Sequence, residues 1–544
     1  MRLRDNYLLK NFLRKNSWWI VLALASILIS NSFRVAAASC VQWIVNILEN
    51  CRTNGLGPFF GIVALAAISM ILFYVTRALI QYLCAYLAQK LCVETRVRLM
   101  SHLSRISFRQ FEEKETGDME SVLRNDVQIS ADLLRRLLSG MVSNTVLVIF
   151  TAAYMISVNV MAGTTVTVVV FTLALVNKYI LTFYRKYQVQ EREAVGELTS
   201  VIENSYKGID TVKTYHVRDY VLDLFRKRKD RYNTVTMQAE KADALRSCLL
   251  YNAMHHICLY GSMVYLGCLG IAGQLNIGQV IVFVTLLRDF MMPVNNMVGY
   301  TAAIVRANAA WKRIYDVLQI PADTPQAEAE QAHLPVTRMH AEGLTYAYDG
   351  KKNVIDNMTL DLEKGKLHVL VGESGSGKTT LFKVLTGLYH ADSLKLTVNG
   401  MPQEKEKVFG SIVYVPAHSP LFQMSIYENL TLGDTTITRE QCLALAKELG
   451  LYDWICSLPD GIDSEILENA KNLSGGQQQM LCNMRALLSR APVLILDEPA
   501  GALDKHRQAL LEHVLDRMKH EKILLLSSHR MDMIEHCDCV IAMQ

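Results

Sequence analysis

At 544 residues the chain is long enough for roughly two to four domains, and its 51% hydrophobic content with positive mean hydropathy excludes an ordinary soluble protein. A formal net charge of +4 is too small to point to a nucleic-acid partner. Twelve cysteines occur without a C-x-x-C pair, and most, such as Cys84, Cys92, Cys248, Cys258 and Cys268, lie in apolar or helical stretches, so they read as packing residues.

The hydrophobic excess is confined to the first part of the chain, which divides it into a transmembrane domain over 1–320, a linker over 321–335 and a soluble domain over 336–544. Six spans are expected, roughly 18–48, 58–87, 136–158, 160–184, 247–272 and 277–303, each with about twenty mainly apolar residues for a bilayer core of ~30 Å. A cleaved leader is the rival reading of the first, because Ala37-Ala38-Ser39-Cys40 has the look of a lipoprotein cleavage box. Against it, Arg34 interrupts the apolar run and the cleavage site would fall late. Arg2, Arg4, Lys10, Arg14 and Lys15 precede the first span, and the long connections after the second and fourth spans are rich in Lys and Arg. The remaining loops are short and nearly uncharged, so both termini and the long loops are expected on the cytoplasmic side.

Polar residues within the spans are the clue to cargo. Ser26, Ser30 and Arg34 recur every fourth residue and share a helical face, as do Tyr74, Arg77 and Gln81. Asn252, His255 and His256 cluster in the fifth span, and Thr285, Arg288 and Asn295 in the sixth. An arginine facing lipid costs at least about 2.5–3.5 kcal/mol, so these faces are expected to line a cavity or to pair with one another. Arg34, Arg77, His255, His256 and Arg288 are the candidate cavity residues; the alternative is a packing role, such as Arg288 pairing with its neighbour Asp289. Pro293 is expected to kink the sixth span.

Pro321 and Pro325 open the polar linker, after which strand-like and helical runs alternate, as in an α/β domain around a largely parallel sheet. The apolar run His368-Val369-Leu370-Val371 feeds into Gly372-Glu373-Ser374-Gly375-Ser376-Gly377-Lys378-Thr379, which fits the phosphate-loop pattern, and Thr380 continues as helix. Backbone N–H groups of such a loop wrap phosphates at a helix N-terminus; Lys378 adds charge toward the β- and γ-phosphates, and Thr379 is placed to ligate Mg²⁺. Leu473-Ser474-Gly475-Gly476-Gln477 follows, with glycines that expose amides at an expected helix start and a serine hydroxyl beside them. Val493-Leu494-Ile495-Leu496 then ends in Asp497-Glu498, followed by Ala502-Leu503-Asp504 and by His529 after another apolar run.

The order of these motifs, behind six spans, resembles the exporter-type ATP-binding cassette family, in the form of a half-transporter. The resemblance implies a six-helix all-α transmembrane domain followed by an α/β P-loop ATPase domain with a helical subdomain that carries the signature Leu473–Gln477. It implies ATP and Mg²⁺ as cofactors, Tyr348 as the adenine-stacking aromatic with Tyr346 as the near alternative, and Asp497 as the Mg²⁺-holding carboxylate. Glu498 would be the catalytic carboxylate, His529 the γ-phosphate histidine, Asp504 the D-loop aspartate, and the signature would close on the ATP of a partner subunit. Phe111 through Asp126 and Glu203 through Val212 resemble the first and second intracellular loops, whose short coupling helices rest on the nucleotide-binding domains.

Three positions depart from the pattern. Ala417, followed by His418, stands where the family has glutamine, so either His418 substitutes or coupling is altered. Gly501 replaces the usual D-loop serine, and Gln478-Gln479-Met480 lacks the common arginine. The chain also stops soon after the strand that follows His529. The expected function is ATP-driven export of a small molecule, lipid or peptide by a half-subunit in the bacterial cytoplasmic membrane, with a homodimer favoured over a heterodimer. Import on the same fold and a nucleotide-gated regulatory subunit with little turnover are the alternatives; a soluble ATPase acting on ribosomes or DNA is disfavoured by the spans.

Overall fold

A computed structural model describes residues 7–49, 57–112, 116–245, 247, 252–322, 335–348, 352–373 and 375–543. The chain splits into two compact units, Met1–Met100 with Gly117–Gln319, and Ser101–Thr116 with Ile320–Gln544. Residues 101–116, which the sequence places within the transmembrane domain, therefore cluster with the second unit. Most of the linker lies outside the described residues.

The first unit is helical. Its main helices are α1 (Ser17–Glu49), α2 (Gly57–Leu103), α3 (Ser143–Val158), α4 (Val160–Lys207), α5 (Arg218–Ala244), α6 (Ala253–Ile271) and α7 (Ile277–Leu318). Four described stretches are long and apolar enough to cross a membrane: Ser17–Glu49, Phe59–Leu103, Asp118–Val158 and Ile277–Leu318. Val160–Leu173 and His255–Ile271 are apolar but shorter among the described residues. Several helices outrun their spans. The 47 residues of α2 reach about 70 Å at ~1.5 Å per residue, over twice a bilayer core. The apolar stretch ends where Arg and Glu appear, but no glycine or proline stops the helix there, so it continues as a polar one.

Local chemistry sets the turns. The Asn159 side chain accepts from the Ala162 amide and starts α4 immediately after α3. Asn276 and Gln279 form a reciprocal capping box that starts α7. Pro293 lies inside α7. Phe283, Leu286, Leu287 and Phe290 of α7 pack with Val148, Met155, Val166, Val170 and Leu266 to form the core. Asp126, only 1% exposed, is paired by Arg313, whose Nε donates at 2.6 Å. A carboxylate that deep requires such a partner.

The second unit holds two sheets. β1 (Arg338–Ala347), β2 (Asn353–Glu363), β4 (Ser393–Val398) and β5 (Met401–Pro402) make an antiparallel sheet in the order β2-β1-β4-β5. β3 (Leu367–Val371), β6 (Ile412–Val415), β7 (Val493–Asp497), β8 (Ile523–Ser527) and β9 (Cys539–Ala542) make a parallel sheet in the order β6-β7-β8-β3-β9. Alternate residues of the parallel strands feed two cores: Val369, Leu494, Leu496, Leu524 and Leu526 on one side, Leu370, Val493, Ile495, Ile523 and Leu525 on the other. A sheet covered on both faces explains the unbroken apolar runs before Asp497 and His529. Helices α8 (Lys378–Leu385), α9 (Ile426–Thr431), α10 (Gly475–Leu488) and α11 (Lys505–Met518) carry or frame the motifs.

Candidate functional site

The glycine-rich loop joins β3 to α8 at the C-terminal edge of the parallel sheet, where open α/β sheets bind ligands. Gly377 has φ +100°, and a Cβ there would come within 3.0 Å of Val354, so the turn requires glycine. Lys378 is 7% exposed, and its Nζ donates to the carbonyls of Gly372 at 2.7 Å and Glu373 at 3.0 Å. These bonds bend the lysine back over the loop and leave one ammonium hydrogen for an anion. The Ser376 hydroxyl is buried without a hydrogen-bond partner among the described residues, a polar group suited to a phosphate oxygen. Ser374 lies outside the described residues.

Asp497, at the end of β7, is buried and ringed by hydroxyls. Thr379 donates to its Oδ2 at 3.0 Å, Tyr414 to the same oxygen at 3.3 Å, and Ser527 to Oδ1 at 2.5 Å. Burial, and then the Asp497 charge, push the Tyr414 phenol well above its ordinary value, so it remains a donor. Neutral donors orient the carboxylate without cancelling its charge. Carboxylate and hydroxyl oxygens are hard ligands, and the set fits Mg²⁺. Tyr414 and Ser527 escaped the sequence reading, because their positions carry no motif.

Glu498 adopts φ +50°, a left-handed backbone rare for glutamate. Its amide donates to Ser527 Oγ at 2.9 Å, and its Oε1 lies 3.3 Å from His529 Nε2. The two candidate catalytic side chains are thus together. Gln479 of α10 clamps the turn that follows: its Nε2 donates to the Glu498 carbonyl at 2.5 Å and its Oε1 accepts from the Ala502 amide at 2.6 Å. Gln478 bonds the carbonyls of Ala470 and Leu473, both at 3.1 Å. In the sequence this pair is only a departure from the family pattern; in the fold it braces the loops on either side. Asp504 caps α11, accepting from the Arg507 amide at 2.8 Å.

Ser474 caps α10 in a capping box with Gln477, and Gly475 and Gly476 form its first turn, so the amides sit at a helix start. Leu473 is buried in the core beneath. Ala417 and His418 line a cavity of about 570 Å³ together with Asp497, Glu498 and Gln479. Tyr346 is 2% exposed and stacks on Tyr389, with ring centroids 5.4 Å apart. Tyr348 is 40% exposed, and its hydroxyl shares a 2.8 Å hydrogen bond with Thr380 Oγ1. Of the two tyrosines, Tyr348 is the one with a free face.

The helix Phe108–Glu112 packs beside this aromatic cluster. Arg109 donates to the Tyr348 carbonyl, while Glu112 accepts from Lys383 at 2.8 Å and from Tyr389 at 2.5 Å. Burial opposes ionisation of Glu112, but these two hydrogen bonds and the Lys383 charge outweigh it and hold the carboxyl below the usual glutamate range. Only Phe111 and Glu112 of this helix fall within the intracellular loop that the sequence suggests, and their partners are not legible there, since they lie hundreds of residues downstream.

In the first unit, Arg34 binds Asp289 in a fork, Nε to Oδ2 at 2.8 Å and a terminal nitrogen to Oδ1 at 2.6 Å. Asp289 therefore pairs across helices and not with its neighbour Arg288. Arg34, Arg77 and Arg288 line one cavity of about 660 Å³, and an adjoining one of about 680 Å³ shares Arg34 and Arg77. His255 and His256 do not line these cavities; their rings stand 5.7 Å apart, and His256 stacks on Tyr260. Ser26 and Ser30 are buried, bonding the carbonyls of Leu22 and Phe73, so that part of the shared face serves packing.

The family model "ABC transporter transmembrane region" matches residues 20–294, and the model "ABC transporter" matches residues 355–501. The chain belongs to the ABC transporter family. Over 491 residues it is 25% identical to a Haemophilus influenzae protein provisionally named an ABC transporter ATP-binding/permease protein, covering 88% of this chain and 87% of that one. Over 496 residues it is 26% identical to a Staphylococcus aureus protein provisionally named a multidrug export ATP-binding/permease protein, covering 88% of this chain and 84% of that one. The structure of a bacterial Atm1-family ABC exporter with ATP bound superposes with a TM-score of 0.76 at 18% identity, covering 98% of this chain and 94% of that one. This ABC transporter chain is therefore a half-transporter of exporter-type fold, its membrane region fused ahead of an ATP-binding cassette. It is an integral membrane protein, and its fold implies a dimer and the binding of ATP.

Proposed function

We propose that two copies of this chain pair in the bacterial cytoplasmic membrane, cassettes and termini in the cytoplasm, and use ATP hydrolysis to export a small molecule, lipid or peptide. The observation that carries this reading is the Glu498–His529 contact beside Asp497, Thr379 and Lys378 at one sheet edge. The names of the multidrug export relatives support the direction of transport.

In this reading the loop amides and Lys378 hold the β- and γ-phosphates, and Tyr348 stacks on the adenine. Thr379 and Asp497 would hold Mg²⁺, which supplies charge neutralisation at the phosphates. Glu498 accepts a hydrogen from the attacking water and orients it, and His529 contacts the γ-phosphate and keeps Glu498 in place. Little bond-making is asked of the protein, so positioning and charge do most of the work. The signature Leu473–Gln477 and Asp504 of one chain complete the site of the other, so ATP closes the pair and hydrolysis reopens it.

One observation favours a second reading. Ala417 has no group to reach the nucleotide, which is consistent with a chain that binds ATP and turns it over little. ATP-dependent accumulation of a fluorescent amphiphile in inside-out vesicles separates the two. The export reading expects uptake by wild-type vesicles and none by Glu498→Gln vesicles. Equal uptake in both would sink it.

A further inference from the structure

We propose that the cavity of the membrane-spanning unit takes an anionic amphiphile, a molecule with a sulfonate, carboxylate or phosphate head and an apolar body. The proposal deepens the transporter reading by naming the class of its cargo.

Three helices each bring one guanidinium to this place: Arg34 from α1, Arg77 from α2 and Arg288 from α7. Among the described residues Asp289 is the one carboxylate in the same wall, and Arg34 occupies both of its oxygens. Among the described residues no carboxylate pairs with Arg77 or Arg288. Arg77 instead lies over the Phe73 ring, 5.7 Å from its centroid, and Arg34 lies over the same ring at 5.3 Å. Two guanidiniums are thus left without a counter-charge inside a segment that crosses a membrane, where an uncompensated cation is costly. Stability alone does not ask for this arrangement, since a second acidic residue or a neutral side chain would be cheaper. A ligand with the opposite charge resolves it.

The shape of the site extends the argument from charge to class. Guanidinium forks suit the paired oxygens of an oxyanion, and Thr285 adds a neutral polar group to the wall. The adjoining cavity continues from the arginines onto Ala37, Val41, Ala66, Met70 and Phe73, an apolar surface for the body of the ligand. Volumes of about 660 and 680 Å³ fall within the ~300–1,000 Å³ of small-molecule sites. The same two charges repel cations, so the site discriminates against them as well as selecting anions.

The test uses the full chain in nanodiscs of zwitterionic lipid, without nucleotide, and two fluorescent naphthyl-alkyl probes that differ only in a sulfonate or a trimethylammonium head. The sulfonate is expected to bind at least about tenfold more tightly, a preference that shrinks with added sodium chloride. In the double variant Arg77→Gln with Arg288→Gln the ratio should fall toward one, while Arg77→Lys with Arg288→Lys keeps most of it. Equal binding of the two probes by the wild type, or a preference for the ammonium, overturns the proposal. So does an unchanged preference in the glutamine variant; if that variant does not fold, the wild-type ratio and its salt dependence decide alone. A second arm replaces part of the lipid with phosphatidylglycerol. Competition with the sulfonate probe identifies a lipid headgroup as the anion, and its absence identifies a free one; both support the proposal. Because binding is read without ATP, a chain that prefers the sulfonate yet hydrolyses nothing would count against the ATPase reading only.

Discussion

Two carboxylates, one in each unit, are held in opposite ways. Asp497 in the cassette is surrounded by the hydroxyls of Thr379, Tyr414 and Ser527, which fix its oxygens but leave its negative charge uncancelled. Asp289 in the membrane unit is gripped by the Arg34 guanidinium, which cancels its charge and leaves Arg77 and Arg288 in excess. Neutral donors around an acid prepare a place for a cation; a cationic partner that spends the acid prepares a place for an anion. The same residue type therefore marks opposite ligands, and its neighbours decide which.

The largest expected effect breaks the cassette side. Lys378→Ala removes the ammonium that arches over the phosphate loop, and affinity for a fluorescent ATP analogue should fall roughly a hundredfold, as expected for losing charge-assisted hydrogen bonds. Unchanged affinity would show that the loop amides alone bind phosphate.

Next in size is a guanidinium–carboxylate pair whose charge is deeply buried. Asp126 is 1% exposed and depends on Arg313, whose side chain is 59% exposed, so Arg313→Gln should cost about 2 kcal/mol, less than for a fully buried pair, and lower the thermal midpoint in nanodiscs. If the midpoint does not move, Asp126 has another partner and guanidinium pairing contributes little to the stability of this unit.

A smaller effect is expected at the edge of the nucleotide site. Tyr348→Ala should raise the KM for ATP by about tenfold, from the ~1–3 kcal/mol worth of base stacking, and Tyr348→Phe should restore most of it. A Phe variant as poor as Ala would assign the role to the Thr380 hydrogen bond instead.

The smallest effect is pH-dependent. The Glu112 carboxyl is held below the usual range, so its pairing with Lys383 and Tyr389 is fully present above the unfolded glutamate value of ~4.3 and is lost as pH falls through the lower, folded one. With its side chain nearly half exposed, the effect should stay within about 1 kcal/mol. Thermal midpoints of wild type and Glu112→Gln should differ at pH 7 and converge in acid. A gap that persists once the folded carboxyl is itself protonated would mean packing, not charge, docks this helix.

Where a function is written in consecutive residues, reading it needs no fold. Gly372 to Thr379 carry their own turn and helix start, and the fold class follows from apolar runs whose length and flanks differ between the two halves. What escapes is set by distance. Tyr414, Ser527 and Gln479 act on Asp497 and Glu498 from other strands and from α10, and no local pattern announces them. In the membrane unit the four-residue spacing of Ser26, Ser30 and Arg34 is visible, yet only packing separates the two buried serines from the arginine that reaches a cavity. Asp289 lies beside Arg288 in sequence but pairs with Arg34, because adjacent helical residues point in different directions. The lengths of α2, α4 and α7 were likewise hidden, since hydropathy reports where the apolar surface ends and not where the helix does.

ATP hydrolysis by this chain purified alone in lipid nanodiscs, with Glu498→Gln as the blank, decides whether two copies of the chain form a working ATPase through Glu498. Wild type should hydrolyse ATP steadily, the variant should be slower by a factor of about 10²–10⁴, and both should bind ATP. Hydrolysis that survives the substitution at the wild-type rate would contradict the role given to Glu498.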